Sequence, residues 1–168
     1  ENVGKLVEKG KGAFAGPEIL GKTLGVIGTG KIGRCFAKIC EGFGMNIIGY
    51  DPYLSLENAW HLSPSVEREE SIEDVVAKAD YITLHIPYLP TTKNTINSDL
   101  ISHMKKGVII VNPARGEIAD LEAVKEGIES GIIRSYVLDF PTEETLAVEG
   151  IINTPHLGAS TEESEENC

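Results

Sequence analysis

The run Thr23-Leu-Gly-Val-Ile-Gly-Thr-Gly-Lys-Ile-Gly33 constrains the fold more than any other stretch of the chain. Residues 24–27 are apolar and read as a buried strand, three glycines follow at 28, 30 and 33, and an amphipathic segment opens directly behind them. Each glycine has its own task in a strand-to-helix turn. Gly28 permits the tight turn, Gly30 removes a Cβ so that a pyrophosphate can approach the backbone, and Gly33 lets the helix lie close to the strand. The helix then directs its unpaired N–H groups and positive dipole end at the phosphates. A second apolar run, residues 46–50, ends in Asp51, about where a dinucleotide fold places the acid that takes the ribose hydroxyls. Asp51 also selects the cofactor. A 2′-phosphate a few Å from its carboxylate meets a repulsion of roughly 3 kcal/mol per charge pair at an effective dielectric near 20, so NAD is expected over NADP.

With 168 residues, 41% of them hydrophobic and 24% charged, the chain suits one domain with a sizeable core. A formal net charge of −11 argues against nucleic acid or an anionic membrane as partner. No apolar stretch approaches the roughly 20 residues that span a bilayer, and the charged, Gly-rich start does not read as a signal peptide. Cys35, Cys40 and Cys168 form no Cys-x-x-Cys pair. Cys35 and Cys40 are expected as buried thiols of the first helix, in a reduced, cytoplasmic setting with no metal.

Strands are expected at about 23–27, 46–50, 81–85, 107–111, 135–138 and 151–152, with a very short edge strand at 65–66. Helices are expected at about 31–43, with Ile32, Phe36, Ile39 and Cys40 near one face, at 54–62, from Ser71 to Lys78, from Asn97 or Ser98 to about Lys105–Lys106, and from an Asp120 cap through Glu129. Residues 1–22 read as an interdomain linker or helix remnant, 23–161 as the nucleotide-binding domain, and 162–168 as the start of a truncated helix. Apolar strands alternating with helices mark a parallel sheet covered on both faces, a doubly wound α/β domain of Rossmann type.

Such sheets bind ligands outside the carboxyl ends of their strands. Gly28, Asp51, His85, Pro87, Asn112, Arg115, Asp139 and His156 all follow an expected strand and so fall on one rim. Arg115, in Asn-Pro-Ala-Arg-Gly, is suited to grip a carboxylate through two parallel hydrogen bonds. His156, in Thr-Pro-His-Leu-Gly with Glu143 and Glu144 upstream, is suited to give a proton to a carbonyl oxygen. His61 and His103 fall in expected helices and read as surface residues, and His85 reads as structural or near the adenosine.

With these residues placed, the chain resembles the D-2-hydroxyacid dehydrogenases, most nearly the branch acting on 3-phosphoglycerate. The resemblance rests on Gly28-Thr-Gly-Lys-Ile-Gly33, Tyr50-Asp-Pro52, His85-Ile-Pro-Tyr-Leu-Pro90, Met104-Lys-Lys-Gly107, Asn112-Pro-Ala-Arg-Gly116 and Pro155-His-Leu-Gly-Ala-Ser-Thr161. It implies that Arg115 holds the substrate carboxylate and carbonyl, and that His156 is the general acid/base with Glu144 as its partner. It also implies contacts to NAD from Gly28, Gly30, Lys31, Ile32, Gly33, Asp51, Pro87, Thr92, Ala114, Asp139 and Gly158. The implied reaction is hydride transfer between NAD and C2 of a 2-hydroxy or 2-keto acid. For 3-phosphoglycerate the product is 3-phosphohydroxypyruvate, in serine synthesis.

Two departures stand out. Glu117 occupies the place of a frequent second glycine, and no proline follows the glutamate pair, which leaves both Glu143 and Glu144 in play. The resemblance further implies a homodimer and a separate substrate domain. The chain reads as the cofactor-binding domain alone, expected to bind NAD but to turn over little or nothing. The alternative is an NAD-sensing protein of the same fold, like the C-terminal-binding-protein corepressors.

Overall fold

The computed structural model of the protein describes residues 2–158 and 160–166. Strands β1 (Thr23–Ile27), β2 (Asn46–Tyr50), β3 (Glu67–Arg68), β4 (Tyr81–Leu84), β5 (Val108–Asn112), β6 (Ile133–Leu138) and β7 (Ile151–Asn153) form one parallel sheet in the order β3-β2-β1-β4-β5-β6-β7. Its helices are α1 (Val3–Gly10), α2 (Lys31–Gly42), α3 (Leu56–Trp60), α4 (Ile72–Lys78), α5 (Ser98–Ser102), α6 (Leu121–Glu129), α7 (Glu143–Leu146) and α8 (Glu162–Glu166). The chain builds outward from β1 to β3, then returns through α4 to pair β4 with the other side of β1. That reversal opens a crevice above the carboxyl ends of β1 and β4, as the doubly wound expectation requires.

Alternation along the strands feeds two cores. Leu24 and Val26 of β1 and Ile47 of β2 pack with Ala37, Cys40 and Met45. Ile27, Ile48, Ile82, Leu84, Ile110 and Tyr136 join the larger cluster that α4, α5 and α6 cover. Each buried Val, Leu or Ile stabilises the sheet by about 1.5–3 kcal/mol. Side-chain caps start the covering helices: Ser71 accepts from Asp74 N, Asn97 from Leu100 N, and Asp120 from Glu122 N and Ala123 N.

Several expectations are corrected. In α2 the buried residues are Gly33, Ala37 and Cys40, whereas Ile32 and Ile39 are 71% and 58% exposed. Small residues at that spacing let α2 lie close to the sheet, which turns its bulky aliphatics outward. Cys35 is exposed, Cys40 is buried, and Cys168 lies outside the described residues. Burial pushes the Cys40 thiol pKa up. The edge strand is residues 67–68, paired with Ile48 and Gly49, rather than 65–66. Helix α5 stops at Ser102, well before the lysines, and Lys105 instead pairs with Asp80 at 3.1 Å. His61 and His103 sit just past α3 and α5, both exposed. Residues 1–22 contain α1 and a 3-10 turn at Lys11–Phe14, and no residue of α1 is buried.

Candidate active site

Two cavities open side by side along the carboxyl rim of the sheet. The first, about 590 Å³, is lined by Gly28, Gly30, Asp51, His85, Pro87 and Thr92, among others. Gly28 has φ +91°, and a Cβ there would lie 2.8 Å from the His85 backbone. A Cβ on Gly33 would lie 2.0 Å from Gly28 O, so glycine alone allows α2 its approach to the turn. A Cβ on Gly30 would meet nothing within 4 Å: the space beside it is open. Helix α2 also lacks the side-chain cap that α4, α5 and α6 carry, so its first N–H groups are left for another acceptor. Open space beside Gly30 and an uncapped helix start fit the pyrophosphate of a dinucleotide.

Backbone bonds hold Asp51 at the end of β2. Its Oδ2 accepts from Thr29 N at 2.9 Å and its Oδ1 from Tyr53 N at 3.0 Å. The Thr92 hydroxyl closes the neighbouring loop, donating to Pro87 O at 2.7 Å while it accepts from Leu89 N at 2.8 Å. Burial lowers the His85 pKa to about 4, leaving a neutral ring 3.0 Å from Thr83 Oγ1.

The second cavity, about 660 Å³, is lined by Lys93, Asn94, Arg115, Phe140, Glu144 and His156, among others. Segment 92–96 separates the cavities: Thr92 and Thr95 face the first, Lys93 and Asn94 the second. Bonds from Asn94 N to Glu117 O and from Ile96 N to Ile118 O tie this wall to the chain beyond Arg115. Asn94 (φ +52°) and His156 (φ +53°) are the positive-φ non-glycine residues among those described, and both line this cavity. Backbone strain of this kind concentrates at functional sites.

The fully buried Asn112 shapes the Arg115 loop. Its Nδ2 donates to Arg115 O and to Tyr136 Oη, each at 2.8 Å, and its Oδ1 accepts from Ala114 N at 3.1 Å. Burial raises the Tyr136 pKa to about 12, so the phenol keeps its proton. At the end of β6 the Asp139 carboxylate accepts from the Thr154 hydroxyl and from Leu157 N, residues on either side of His156. The Thr154 bond foremost, with these backbone donors, holds the Asp139 carboxyl below the usual range. Phe140, packed on the main core, touches both Arg115 and His156. Its ring centre lies 4.5 Å from Arg115 Cζ and 4.3 Å from the centre of the His156 ring.

Comparison with known proteins identifies the family. Residues 3–158 match the family described as D-isomer specific 2-hydroxyacid dehydrogenase, NAD binding domain. The chain belongs to that family. It is 47% identical over 158 residues to D-3-phosphoglycerate dehydrogenase of Methanocaldococcus jannaschii, covering 90% of this chain and 30% of the relative. The human D-3-phosphoglycerate dehydrogenase is 41% identical over 162 residues, covering 92% and 30%. In structure, the apo D-lactate dehydrogenase of Escherichia coli superposes with a TM-score of 0.80 at 30% identity, over 96% of this chain and 54% of that one. The chain thus spans about a third of the length of these curated relatives.

As the NAD-binding domain of a 2-hydroxyacid dehydrogenase, the chain brings most of the expected residues to the two cavities. Gly28, Gly30, Asp51, Pro87 and Thr92 line the first; Arg115, Glu144 and His156 line the second. Lys31 and Ile32 are exposed on the first turn of α2, Gly33 is buried beneath it, and Ala114 is half-buried against the core. Gly158 lies beside Asp139, its missing Cβ 3.9 Å from Oδ2. Glu144 is ion-paired with Lys125, which also holds Glu122 at 2.8 Å. This pairing lowers the Glu144 pKa and raises that of Lys125. Sequence reasoning missed Phe140, Lys125 and the Asn112–Tyr136 bond. Phe140 directly follows Asp139, but no spacing rule foretells that its ring meets residues 25 positions before and 16 after it. Among the described residues no group of three or more His, Cys, Asp or Glu could hold a metal ion, and no helix is long and apolar enough to cross a membrane.

Proposed function

We propose that this chain is the cofactor-binding domain of a cytoplasmic enzyme acting on C2 of a D-2-hydroxy acid, with 3-phosphoglycerate as substrate. The observation that carries the reading is the convergence of Arg115 and His156 on one cavity beside the NAD cavity. NAD, when bound, supplies a nicotinamide ring that accepts or gives a hydride. Arg115 binds the substrate carboxylate through charge-assisted hydrogen bonds, and His156 accepts the hydroxyl proton in oxidation and returns it in reduction. Glu144 orients the imidazole, which requires its carboxylate to leave Lys125. Asp51 takes the ribose hydroxyls. The substrate class follows the names of the relatives at 41–47% identity.

The test is NADH-dependent reduction of a panel of 2-keto acids, 3-phosphohydroxypyruvate included, by the full-length protein. His156→Gln is expected to lower kcat by about 10²–10⁴-fold. Arg115→Ala is expected to raise the KM for the keto acid by roughly 10- to 100-fold, the worth of hydrogen bonds to a charged group. Glu144→Gln alters the pH profile and Glu143→Gln does not. Full turnover in His156→Gln would overturn the reading. Arg115 and His156 are exposed in this chain, so the isolated 168-residue chain binds NAD but turns over little, lacking the enclosure that excludes water. The same reading includes a homodimer. Exposed Ile32, Ile39 and Phe43 on and just after α2, and Val3, Leu6 and Val7 on α1, are apolar surface that a second copy would cover. Sedimentation equilibrium checks this, and Ile39→Lys is expected to favour the monomer.

A further inference from the structure

We propose that Phe140 is a positioning residue for the reaction, its ring setting the spacing between Arg115 and His156. The inference rests on the reaction proposed above. No hydrogen bond among the described residues holds either group in that direction. Among the described residues Arg115 has no carboxylate partner, and its side-chain hydrogen bond goes to the adjacent Ala114 O at 2.8 Å. The His156 ring has, among the described residues, no side-chain hydrogen bond, and the Asp139 carboxylate fixes the loop on either side of it while acting on the imidazole only through its charge. What both groups share is one aromatic ring, 4.5 Å from the Arg115 Cζ and 4.3 Å from the His156 ring centre.

The position of that ring is set from below. Phe140 directly follows Asp139 at the end of β6 and packs against the main core, so it is half-buried while the two side chains it touches are exposed. Its electron-rich surface favours a guanidinium, and it favours an imidazole most when the imidazole is protonated. It therefore holds two groups that repel each other whenever His156 carries a proton. The separation it imposes also has chemical meaning. Arg115 Cζ and the His156 ring centre lie no further apart than the two contacts end to end, about 9 Å. A 2-keto acid with its carboxylate on the guanidinium and its carbonyl oxygen on the imidazole, through hydrogen bonds of about 2.8 Å at each end, spans a gap of that order. By holding both groups, the ring limits the length of substrate headgroup that engages both at once, and an error of 1 Å there is costly to turnover.

The test has two arms. In the 168-residue chain, proton NMR of Phe140→Leu reads the contact itself: the His156 ring protons and the Arg115 Hε are expected to move downfield as the ring current disappears, and Phe140→Tyr to keep them near their original positions. Unmoved resonances in Phe140→Leu overturn the proposal whatever the activity. In the full-length protein, Phe140→Leu is expected to lower kcat/KM for the keto acid tenfold or more, with kcat reduced and the KM for NADH unchanged, while Phe140→Tyr recovers it to within about twofold. Unchanged kcat/KM in Phe140→Leu, or equal losses in the Leu and Tyr variants, overturns the positioning role. Should Phe140→Leu fail to fold, Phe140→Met supplies the apolar volume in its place and is judged by the same outcomes. If instead the wild type reduces no 2-keto acid, the proposed reaction fails, and the NMR arm still decides whether the ring links Arg115 and His156.

Discussion

The two halves of the carboxyl rim are built by different means. In the nucleotide half, over β1, β2 and β4, the backbone does most of the work: a glycine at φ +91°, a helix start without a side-chain cap, and an aspartate held by the N–H groups of Thr29 and Tyr53. In the other half, over β5, β6 and β7, side chains do it: Asn112 shapes the Arg115 loop, Asp139 pins the His156 loop, and Phe140 touches both Arg115 and His156. Backbone geometry follows from local sequence, and a small set of residues within about 30 positions specifies it. Side-chain networks draw on residues far apart in the chain and are set only when the sheet is assembled. The first half is therefore the rigid receptor, and the second is the half in which small changes retune chemistry.

The sharpest way to break this contrast is at Gly33. With Gly28 O 2.0 Å from the place of its Cβ, Gly33→Ala forces α2 off the sheet and is expected to cost about 3 kcal/mol in urea unfolding, with NAD affinity lost alongside. Retained NAD binding, measured by calorimetry, would show that the nucleotide half is less rigid than its backbone implies.

His85 offers a test by pH. Its folded pKa near 4 lies below the ordinary 6.5, so the unfolded chain takes up a proton that the folded one refuses. Stability is complete above pH 6.5, declines as pH falls through the window, and this contribution is gone below about pH 4. The loss is on the order of 2–3 kcal/mol, read as the extra decline of wild type over His85→Gln in unfolding at pH 7 and pH 4.

At Asn112, replacement by Ala leaves the buried Tyr136 hydroxyl and the Arg115 carbonyl without their shared donor. The expected cost is about 2 kcal/mol. Under the proposed function, binding of a 2-keto acid to the full-length protein is expected to weaken while NAD binding by the chain is kept. Equal losses of both would mean that the two halves are not separable. The smallest effect is expected at Lys125. Lys125→Met frees Glu144 and barely moves the melting temperature, because such exposed pairs contribute little to stability. If Glu144 orients His156 as proposed, the change is expected instead in the pH profile of turnover by the full-length protein.

Legibility in the sequence follows the same division. The glycine turn, the place of Asp51 after β2, the Ser71 and Asp120 caps and the positions of every strand but the edge one are readable because each depends on neighbours within a few residues. The same local logic misplaced Ile32, Ile39 and Cys35. Helical periodicity identifies an apolar stripe on α2 but not which of two stripes faces the sheet, and the small residues Gly33, Ala37 and Cys40 won that place by allowing closer packing. The lysines at 105 and 106 suit the end of a helix, yet Lys105 went to Asp80, a partner 25 residues away that only the parallel register of β4 and β5 brings near.

The sequence by itself determined the doubly wound fold, the phosphate turn and the rim on which Arg115, Asp139 and His156 lie, because strand–turn–helix geometry is local and every such turn ends on the same edge of a parallel sheet. Only the tertiary structure decided that Phe140 joins Arg115 to His156, that Glu144 is held by Lys125, and that segment 92–96 divides the two cavities. Those contacts join side chains from different crossovers, and the order in which strands pair sets their distances, which spacing along the chain does not encode.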